Sequence, residues 1–306
     1  MIKKFLLDIL IDPVTKRRLD YNQIKNNLSL DAIEKYEIVD DVPVVLIKQD
    51  ILNESALHKK LNSTFNYFEH YEKDAEYFNY FEEESKITLN ERIRSREAII
   101  NKVSKNALTI LDTGCGNGWV AEYFTKKNKQ VISMDISKKN PIQALKLYSN
   151  KNHAALVADV FNMPIKENSI DIIIASEIIE HLHNPKIFIE RLLTVLKPGG
   201  KIIIITPYNE KIIKHICVHC NLPTPANAHL HSFNEKNIKE LLPLNGFEFN
   251  TIKFNNKYFT KLRLYYLLKF LPFKIWNILD KIINLILNGT SLFLVEIVKI
   301  EDQYIK

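Results

Sequence analysis

Three glycines stand at alternating positions in the stretch ILDTGCGNGW, residues 110–119, directly behind a short apolar run that ends in Asp112. Because glycine has no Cβ, the backbone at Gly114 and Gly116 can approach a ligand closely. An apolar strand, a glycine-rich turn and a helix, in this order, are typical of nucleotide-type binding sites. Such a turn also occurs for purely structural reasons, so its interpretation depends on the polar residues around it.

Two further acidic residues close later apolar runs. Asp135 ends VISMD, about 20 residues beyond the turn, where a carboxylate can accept from both ribose hydroxyls. Asp159 ends LVAD, and its carboxylate can accept from an exocyclic adenine amine. A dinucleotide dehydrogenase would instead require G-x-G-x-x-G, and position 119 of this chain is tryptophan. The acids and glycines together favour a ligand with a single nucleoside over a dinucleotide.

Elements that would position these residues alternate along the chain after residue 107. Short runs rich in Ile or Val predict strands, and the segments between them predict helices, so the strands should pair in parallel through right-handed crossovers. The predicted strands are 109–112, 130–135, 154–158, 170–175 and 201–206, and the predicted helices lie near 117–128, 140–149 and 184–196. The strand-like runs FEFNTIKF and SLFLVEIV, separated by a helical stretch at 261–288, predict a closing β-hairpin with a helical insertion.

The segments ILDTGCGNG, MDIS, ADVFNMPIKENSIDIIIASEIIEHLHNP and LKPGGKIIIITP occur in an order and spacing that resembles class I S-adenosylmethionine-dependent methyltransferases. The resemblance is to the type 11 group, which includes ubiquinone-pathway O-methyltransferases, and covers about residues 60–300. It implies an α/β, Rossmann-like, seven-stranded sheet with helices on both faces and an antiparallel last strand. It also implies S-adenosyl-L-methionine as cofactor, with Asp112, Gly114, Cys115 and Gly116 near the methionine moiety, Asp135 and Ile136 at the ribose, Asp159 and Val160 beside the adenine, and Ser176 near the sulfonium.

Methyl transfer from a sulfonium is an in-line displacement on an activated donor, so most of the acceleration can come from alignment and exclusion of water. A hydroxyl acceptor would benefit from a general base. His181, in SEIIEHLHNP, follows the fourth strand of the domain, where the acceptor would lie, and is the predicted catalytic residue. A hydrogen bond from His181 to loop backbone is an equally simple interpretation.

A metal site is an open alternative at the same place. Glu177, Glu180 and His181 stand at i, i+3 and i+4, so on a helical turn they would share a face and could hold a divalent ion with His231. This E-x-x-E-H pattern is similar to the magnesium-binding cluster of small-RNA 2′-O-methyltransferases. The same letters occur in metal-free relatives, so no metal ligand is assigned.

Cys217 and Cys220 have zinc-knuckle spacing, and His229 or His231 could complete a set of four ligands. A single C-x-x-C without a second matching pair is weak evidence for zinc. Two buried, apolar cysteines are the interpretation that the pattern favours.

Residues 1–52 predict a small β-rich module, with a turn at Asp40-Asp41 and an edge strand at Pro43. This module resembles zinc-ribbon-like methyltransferase activators. The family's Cys-Pro step appears as Asp12-Pro13 and Thr15 replaces the second cysteine, so we expect that zinc is lost and that the module stiffens the catalytic domain. Residues 53–107, with their aromatic run at 65–81, predict a helical lid or a packed core, and residues 108–306 the cofactor-binding domain.

Charge is distributed unevenly over this 306-residue chain of net charge +6. Residues 253–281 carry seven basic side chains and only Asp280 as acid, within apolar helices divided by Pro272. The segment 261–288 could therefore contact anionic lipid headgroups, or its apolar face could pack on the sheet. No uncharged run approaches the roughly 20 residues of a membrane span, and we expect a cytoplasmic chain with membrane association left open.

The predicted function is S-adenosyl-L-methionine-dependent methyl transfer, at oxygen, to a small-molecule or lipid-like acceptor. One alternative is a metal-assisted RNA 2′-O-methyltransferase, but the basic residues lie among apolar side chains instead of forming a polar groove, so nucleic acid is not expected as a partner. A scaffold that binds the cofactor without catalysis is the other alternative. The acceptor and the oligomeric state are not predicted.

Overall fold

The computed structural model describes residues 1–47, 67–82, 86–218, 221–262, 264 and 270–300. Its strands are β1 Asp20–Asn22, β2 Asn27–Leu30, β3 Ile33–Val39, β4 Val42–Val45, β5 Thr109–Thr113, β6 Gln130–Asp135, β7 His153–Ala158, β8 Ile170–Ser176, β9 Leu196–Pro207, β10 Lys214–Ile216, β11 Pro223–Pro225, β12 Phe247–Asn256 and β13 Thr290–Lys299. Its α-helices are Lys4–Leu7, Tyr67–Tyr77, Lys86–Ile100, Trp119–Thr125, Lys139–Leu147, Pro185–Val195, Glu235–Lys239, Lys257–Lys261 and Phe273–Ile286. Short 3-10 turns span Ile179–His181 and Ala226–Ala228.

One mixed sheet organises the described part of the chain, in the strand order β1-β2-β3-β4-β7-β6-β5-β8-β9-β13-β12. Neighbours pair in parallel from β4 to β9, and β13 runs antiparallel to both β9 and β12. The predicted α/β, Rossmann-like class is confirmed. The described sheet has eleven strands instead of the seven expected, because four strands before residue 47 extend it at β7.

The central strands are covered on both faces, as parallel strands require. Every residue of β5 and of β7 is buried. The neighbours Ile110 and Leu111 are both fully buried, yet they belong to different hydrophobic clusters, one on each face of the sheet. Continuous apolar runs thus form these strands because helices cover both sides, and the predicted strands and helices after residue 107 are found close to their expected bounds.

The topology opens a cleft at the carboxyl ends of the strands. β5 lies between β6 and β8, so the chain winds away from β5 in one direction through β6 and β7, and in the other through β8 and β9. The two connections after β5 and β8 therefore diverge at this point, which is where open α/β sheets bind ligands. Residues 114–118 and 177–181 follow these two strands, and both segments contribute residues to the cleft lining.

Strand β4 corrects the prediction of an edge strand at Pro43. It pairs antiparallel with β3 on one side and parallel with β7 on the other, and all four of its residues are buried. Proline is tolerated inside the sheet because the ladder to β7 starts one residue later, at Val44. The predicted turn at Asp40 and Asp41 is confirmed, and both residues have positive φ, as tight hairpin turns require.

A buried carboxylate holds the loop after Ile11 where the resemblance placed a lost metal ligand. Asp12 is fully buried and accepts hydrogen bonds from the backbone N–H and hydroxyl of Thr15 at 2.7 and 2.9 Å and from the Tyr36 hydroxyl at 2.8 Å. Lys35 Nζ lies 2.6 Å from its Oδ2. Burial alone would raise the pKa of Asp12, but Lys35 and the Thr15 N–H outweigh it and hold that pKa well below its usual range.

The closing hairpin β12–β13 is confirmed, and a helix packs beside it. This insertion helix, Phe273–Ile286, is tied to the end of β12 by Asp280, whose carboxylate accepts from the backbone N–H groups of Asn255 and Asn256, both at 2.8 Å. The predicted insertion at 261–288 is only partly described, since residues 263 and 265–269 lie outside the described residues. None of the described helices is long and apolar enough to span a bilayer.

Replacing Asp12 by alanine should destabilise the fold. The change leaves the buried Tyr36 hydroxyl and the Thr15 N–H without their acceptor, and removing one partner of such a hydrogen bond costs about 1–3 kcal/mol in free energy of unfolding. Lys35 is exposed, so the loss of its ion pair adds little. Urea denaturation of both chains at neutral pH measures the difference. The pKa of Asp12 is lower in the folded state, so its stabilisation is complete above its unfolded-state pKa and declines as the pH falls below that value.

The exposed Asp31, which pairs with Arg17 at the surface, is a matched control, because surface pairs contribute about 1 kcal/mol or less. Equal stabilities of the Asp12→Ala and Asp31→Ala chains would contradict a structural role for the Asp12 carboxylate.

Candidate functional site

The cleft at the carboxyl ends of β5, β6 and β8 has a volume of about 1580 Å³. Sites for one small ligand typically measure about 300–1,000 Å³, so this cleft has room for two molecules side by side. Three parts of the structure line the cleft: the glycine turn with its acids, a helix that covers them, and a cluster of His and Glu side chains at the other end.

The glycine turn follows β5 and has two different roles. Gly116 has φ +48°, and a Cβ added there would meet only the Tyr80 ring edge at 4.0 Å, so its missing side chain leaves the cleft open. Gly118 has φ +72°, and a Cβ there would lie 2.6 Å from the Ala144 Cβ. Gly118 thus serves the packing of helix Lys139–Leu147 against the turn, whereas Gly116 leaves space for a ligand.

Asp112, at the end of β5, carries a buried polar atom without a partner. The residue is 3% exposed, and its Oδ2 accepts no hydrogen bond from the described residues. Burial and the nearby Asp135 raise the pKa of Asp112 to about 8. A buried carboxylate in this state is stabilised by a bound donor or cation, and Asp112 lines the cleft where such a group would lie.

Asp135, at the end of β6, is held by its own loop. Its Oδ1 accepts from the Ser137 N–H at 3.0 Å, and its Oδ2 accepts from Asn140 Nδ2 at 3.3 Å and from the Gly116 N–H at 3.4 Å. Burial raises the pKa of Asp135, and these hydrogen bonds partly offset the effect. The carboxylate is therefore oriented towards the glycine turn.

A helix that sequence reasoning placed only as lid or core covers this end of the cleft. We call Tyr67–Tyr77 the roof helix. Tyr67 is 7% exposed, donates from its hydroxyl to Asp159 Oδ1 at 3.4 Å and packs on Phe161. Tyr71 packs edge-on against His181, with ring centroids 6.0 Å apart. The roof helix is therefore both packed and part of the cleft lining; Phe65 of the aromatic run lies outside the described residues.

Most predicted cofactor residues come together in the cleft, with one exception. Asp159 is buried and does not line it, because Tyr67 and the Phe161 N–H occupy its carboxylate. The predicted residues that line the cleft are Asp112, Gly114, Cys115, Gly116, Asp135, Ile136, Val160, Ser176 and His181.

His181 lies at the far end of the cleft in an environment that keeps it neutral. Its Nδ1 lies 3.3 Å from the Ala228 carbonyl oxygen, which can only accept, so Nδ1 carries the proton and Nε2 presents a lone pair. Burial and the neighbouring His229 lower the pKa of His181 to about 4. The hydrogen bond from His181 to loop backbone is therefore confirmed, and its other nitrogen is left for a ligand; the catalytic role stays a prediction.

A cluster of possible metal ligands surrounds His181, with a membership different from that expected. The ligand atoms of Glu180, His181 and His229 lie within 4.8 Å of one another. Glu177 is not part of this group, because it has φ +55° and the 3-10 turn starts only at Ile179, so residues 177–181 do not form the α-helical face assumed from their spacing.

Glu180 is the most constrained member of the cluster. It is 1% exposed; its Oε2 accepts from the Thr206 hydroxyl at 3.1 Å, and its Oε1 has no hydrogen-bond partner among the described residues. Burial and Glu177 raise its pKa well above the usual range. His229 donates from Nδ1 to Glu210 Oε2 at 2.5 Å, which leaves its Nε2 as the available nitrogen. A neutral imidazole oriented by a carboxylate is typical of metal ligands.

The remaining candidate ligands are placed elsewhere. His231 hydrogen-bonds the backbone of Leu182 and His183, and its ring faces Phe233. Cys217 follows β10 and is only half-buried, so the expectation of two buried cysteines is wrong for Cys217. Cys220 lies outside the described residues.

Sequence reasoning did not identify Asn140 or Glu210 as parts of this site. The helix predicted at 140–149 starts at Lys139, and the Asn140 amide bonds Asp135. Glu210 follows β9 by a few residues, and its position after a strand end was the available signal. Tyr67 and Tyr71 belong to the aromatic run predicted as lid or core, but their contacts with Asp159 and His181 were not predicted.

Comparison with known proteins finds a similarity over the part of the chain that builds the cleft. Residues 111–204 match the family model described as a methyltransferase domain. The chain is 38% identical over 116 residues to the ubiquinone biosynthesis O-methyltransferase of Nitrobacter winogradskyi, covering 34% of this chain and 44% of the relative. It is 36% identical over 123 residues to that of Rhodopseudomonas palustris, covering 36% and 47%. The chain thus spans less than half the length of these curated relatives.

Among solved structures, Haemonchus contortus phosphoethanolamine N-methyltransferase 2 in complex with S-adenosyl-L-methionine has a TM-score of 0.48 and 18% identity, covering 68% of this chain and 53% of that protein. The match of residues 111–204 to the family model, and not this structural likeness, bears on the site. The segment from the end of β5 to β9, which builds the glycine turn, Asp135 and His181, is similar to methyltransferase domains.

Proposed function

We propose that this chain is an S-adenosyl-L-methionine-dependent methyltransferase that transfers a methyl group to oxygen on a small-molecule or lipid-like acceptor. The similarity of residues 111–204 to methyltransferase domains supports the reaction class, and the similarity to ubiquinone biosynthesis O-methyltransferases supports an oxygen acceptor. The observation that carries the proposal is the buried Asp112 Oδ2, which lacks a partner among the described residues and lines the cleft beside Gly116.

The residues of the cleft fit the cofactor. The α-ammonium group of S-adenosyl-L-methionine is a charged donor that would satisfy Asp112, and its ribose hydroxyls are donors for Asp135. Gly116 leaves room for the methionine backbone, since a Cβ there would point into open space. Val160 and Ile136, both more than nine-tenths buried, supply apolar surface for the adenine. When bound, the cofactor supplies a methyl group activated by the sulfonium.

The chain's own contribution is to align the acceptor and exclude water. The roof helix covers the cleft with Tyr67 and Tyr71, so the reacting groups would be shielded from solvent. His181 presents the lone pair of Nε2 towards the acceptor end. A base works best with a pKa near the working pH, and a pKa of about 4 makes His181 weak in that role, so the acceptor needs a further source of activation.

A divalent cation held by Glu180, His181 and His229 is part of the proposal. One carboxyl group and two imidazoles form a donor set that zinc and related ions accept, and Glu180 Oε1, which has no hydrogen-bond partner among the described residues, is an available ligand atom. Such a cation would lower the pKa of an acceptor hydroxyl placed next to it. The sequence alone assigned no metal ligand, so this part of the proposal goes beyond it.

RNA as the acceptor is less well supported. The rim that would have to track phosphates carries Glu82, Glu177 and Glu210 next to Arg92 and Lys211, so the cleft is mixed in charge. RNA-binding grooves concentrate positive charge along their length. A small or lipid-like acceptor requires no such groove. A non-catalytic scaffold would bind the cofactor and transfer nothing, which makes it an outcome of the first experiment.

The first prediction concerns the cofactor. Calorimetry should show that the full chain binds S-adenosyl-L-methionine, and Asp135→Ala should weaken binding roughly 30-fold or more, since hydrogen bonds to a charged group contribute about 1.5–3 kcal/mol each. Glu122→Ala is the control, because that side chain pairs with Lys126 at the surface and does not line the cleft. Unchanged affinity in Asp135→Ala would refute the ribose assignment.

Incubation with methyl-labelled cofactor and fractionated lipid, RNA and metabolite pools then identifies the acceptor class. Label in a lipid or small-metabolite fraction supports the proposal. Label in RNA, or none in any fraction despite cofactor binding, would favour the RNA enzyme or the scaffold.

The second prediction concerns the metal. After treatment with a chelator, the chain should bind one Zn²⁺ or Mn²⁺ in calorimetry, and His229→Gln should weaken this binding at least tenfold, because it removes one of three protein ligands. His231→Gln is the matched control, two residues away and outside the cluster. Cofactor affinity should be unchanged in both variants. If the unmodified chain binds no ion and its activity does not change on chelation, the proposed metal site is contradicted.

A further inference from the structure

The insertion helix presents an apolar face to solvent. Leu285 is 87% exposed, Ile286 74% and Ile278 58%, and Ile275 and Ile282 are also exposed. Their spacing of three and four residues places all five on one side of the helix, since an α-helix turns once in about 3.6 residues. We call these five residues the apolar stripe. A contiguous exposed apolar stripe is typical of an interaction surface.

The opposite face of the same helix is buried and fixes its orientation. Trp276 is 5% exposed and Asp280 1% exposed. The Arg94 guanidinium stacks on the Trp276 ring at 4.0 Å and lies 3.6 Å from Asp280 Oδ1. Because these polar contacts hold one face inward, the helix cannot turn its apolar stripe onto the sheet, which was one of the two interpretations open from the sequence.

The surroundings of the apolar stripe are positively charged. Between Glu248 and Glu296 the only acidic residue is Asp280, which is buried. Four lysines of this segment are exposed, and within the described parts of the chain none of them forms an ion pair; they are Lys257, Lys261, Lys274 and Lys281. Lys274 and Lys281 are two helical turns apart and border one edge of the apolar stripe.

We propose that the apolar stripe docks the protein on the surface of an anionic lipid bilayer. Leu and Ile side chains would enter the boundary between headgroups and acyl chains, while the bordering lysines contact lipid phosphates. A second copy of the chain is a poorer occupant, because a symmetric contact through this face would bring the same lysines together without acidic partners. The helix lies on the bilayer and does not cross it.

The docking surface is mechanically connected to the cleft. The helix that carries Arg94, Lys86–Ile100, also supplies Arg92 and Arg96 to the cleft lining, and Asn255, which Asp280 holds, lines it too. Docking would thus set the cleft at a defined position relative to the bilayer. If the proposed methyl transfer is correct, a lipid-like acceptor would reach the site without leaving the bilayer surface; the docking itself does not depend on that activity.

Vesicle flotation of the full chain tests this proposal. With vesicles of phosphatidylcholine and phosphatidylglycerol the protein should float, and with phosphatidylcholine alone it should stay behind. Replacing both bordering lysines, Lys274→Gln and Lys281→Gln, should lower partitioning roughly 30-fold, since each lysine near an anionic surface contributes about 1 kcal/mol, or about fivefold. The double variant Ile278→Asp, Leu285→Asp should abolish flotation.

The control is Ile24→Asp, at a side chain that is 98% exposed in the β1–β2 turn and isolated from the apolar stripe. It should float like the unmodified chain. Cofactor calorimetry on every variant checks that the fold and the cleft are intact. If the unmodified chain binds the cofactor but does not float with anionic vesicles, the docking surface is overturned and the methyltransferase proposal stands. Equal flotation of the aspartate variants, or light scattering that shows a dimer lost only in those variants, would also overturn it.

Discussion

The structure depends on how its buried carboxylates are bound. Removing a carboxylate from water is costly unless hydrogen bonds or cations replace the solvent. Asp12 and Asp280 each accept two or more hydrogen bonds and have a basic side chain nearby. Asp112 and Glu180 each keep one oxygen without a partner among the described residues. The first pair stabilises the fold, and the second pair is where a ligand would complete it.

The two ends of the cleft therefore favour different kinds of ligand. At the end of β5, Asp112 and Asp135 face a turn that has no side chain in the way, which favours a ligand with several donors and a positive charge. After β8, Glu180 sits between two imidazoles whose outer nitrogens already bond acceptors, which favours a cation. A charged cofactor and an activated acceptor meeting between them is the simplest use of one cleft with two such ends.

The parts added to the central sheet also follow one pattern. The N-terminal strands join through β4, which replaces the exposed edge of β7 and is itself held by Asp12 through β3. The insertion helix joins at the other end of the sheet through Asp280. In both places a single buried acid connects a peripheral element to backbone N–H groups or to a neighbouring strand, so that small elements without much core of their own are held in a defined position.

The sequence alone determined the alternating strands and helices, the glycine turn and the strand-end acids, because each depends on local periodicity and on the order of elements along the chain. Only the tertiary structure decided that Pro43 lies inside the sheet, that Tyr67 takes the Asp159 carboxylate, and that His229 instead of Glu177 or His231 joins Glu180 and His181. Those contacts join residues tens of positions apart or depend on backbone angles such as φ +55° at Glu177, which spacing along the chain does not reveal.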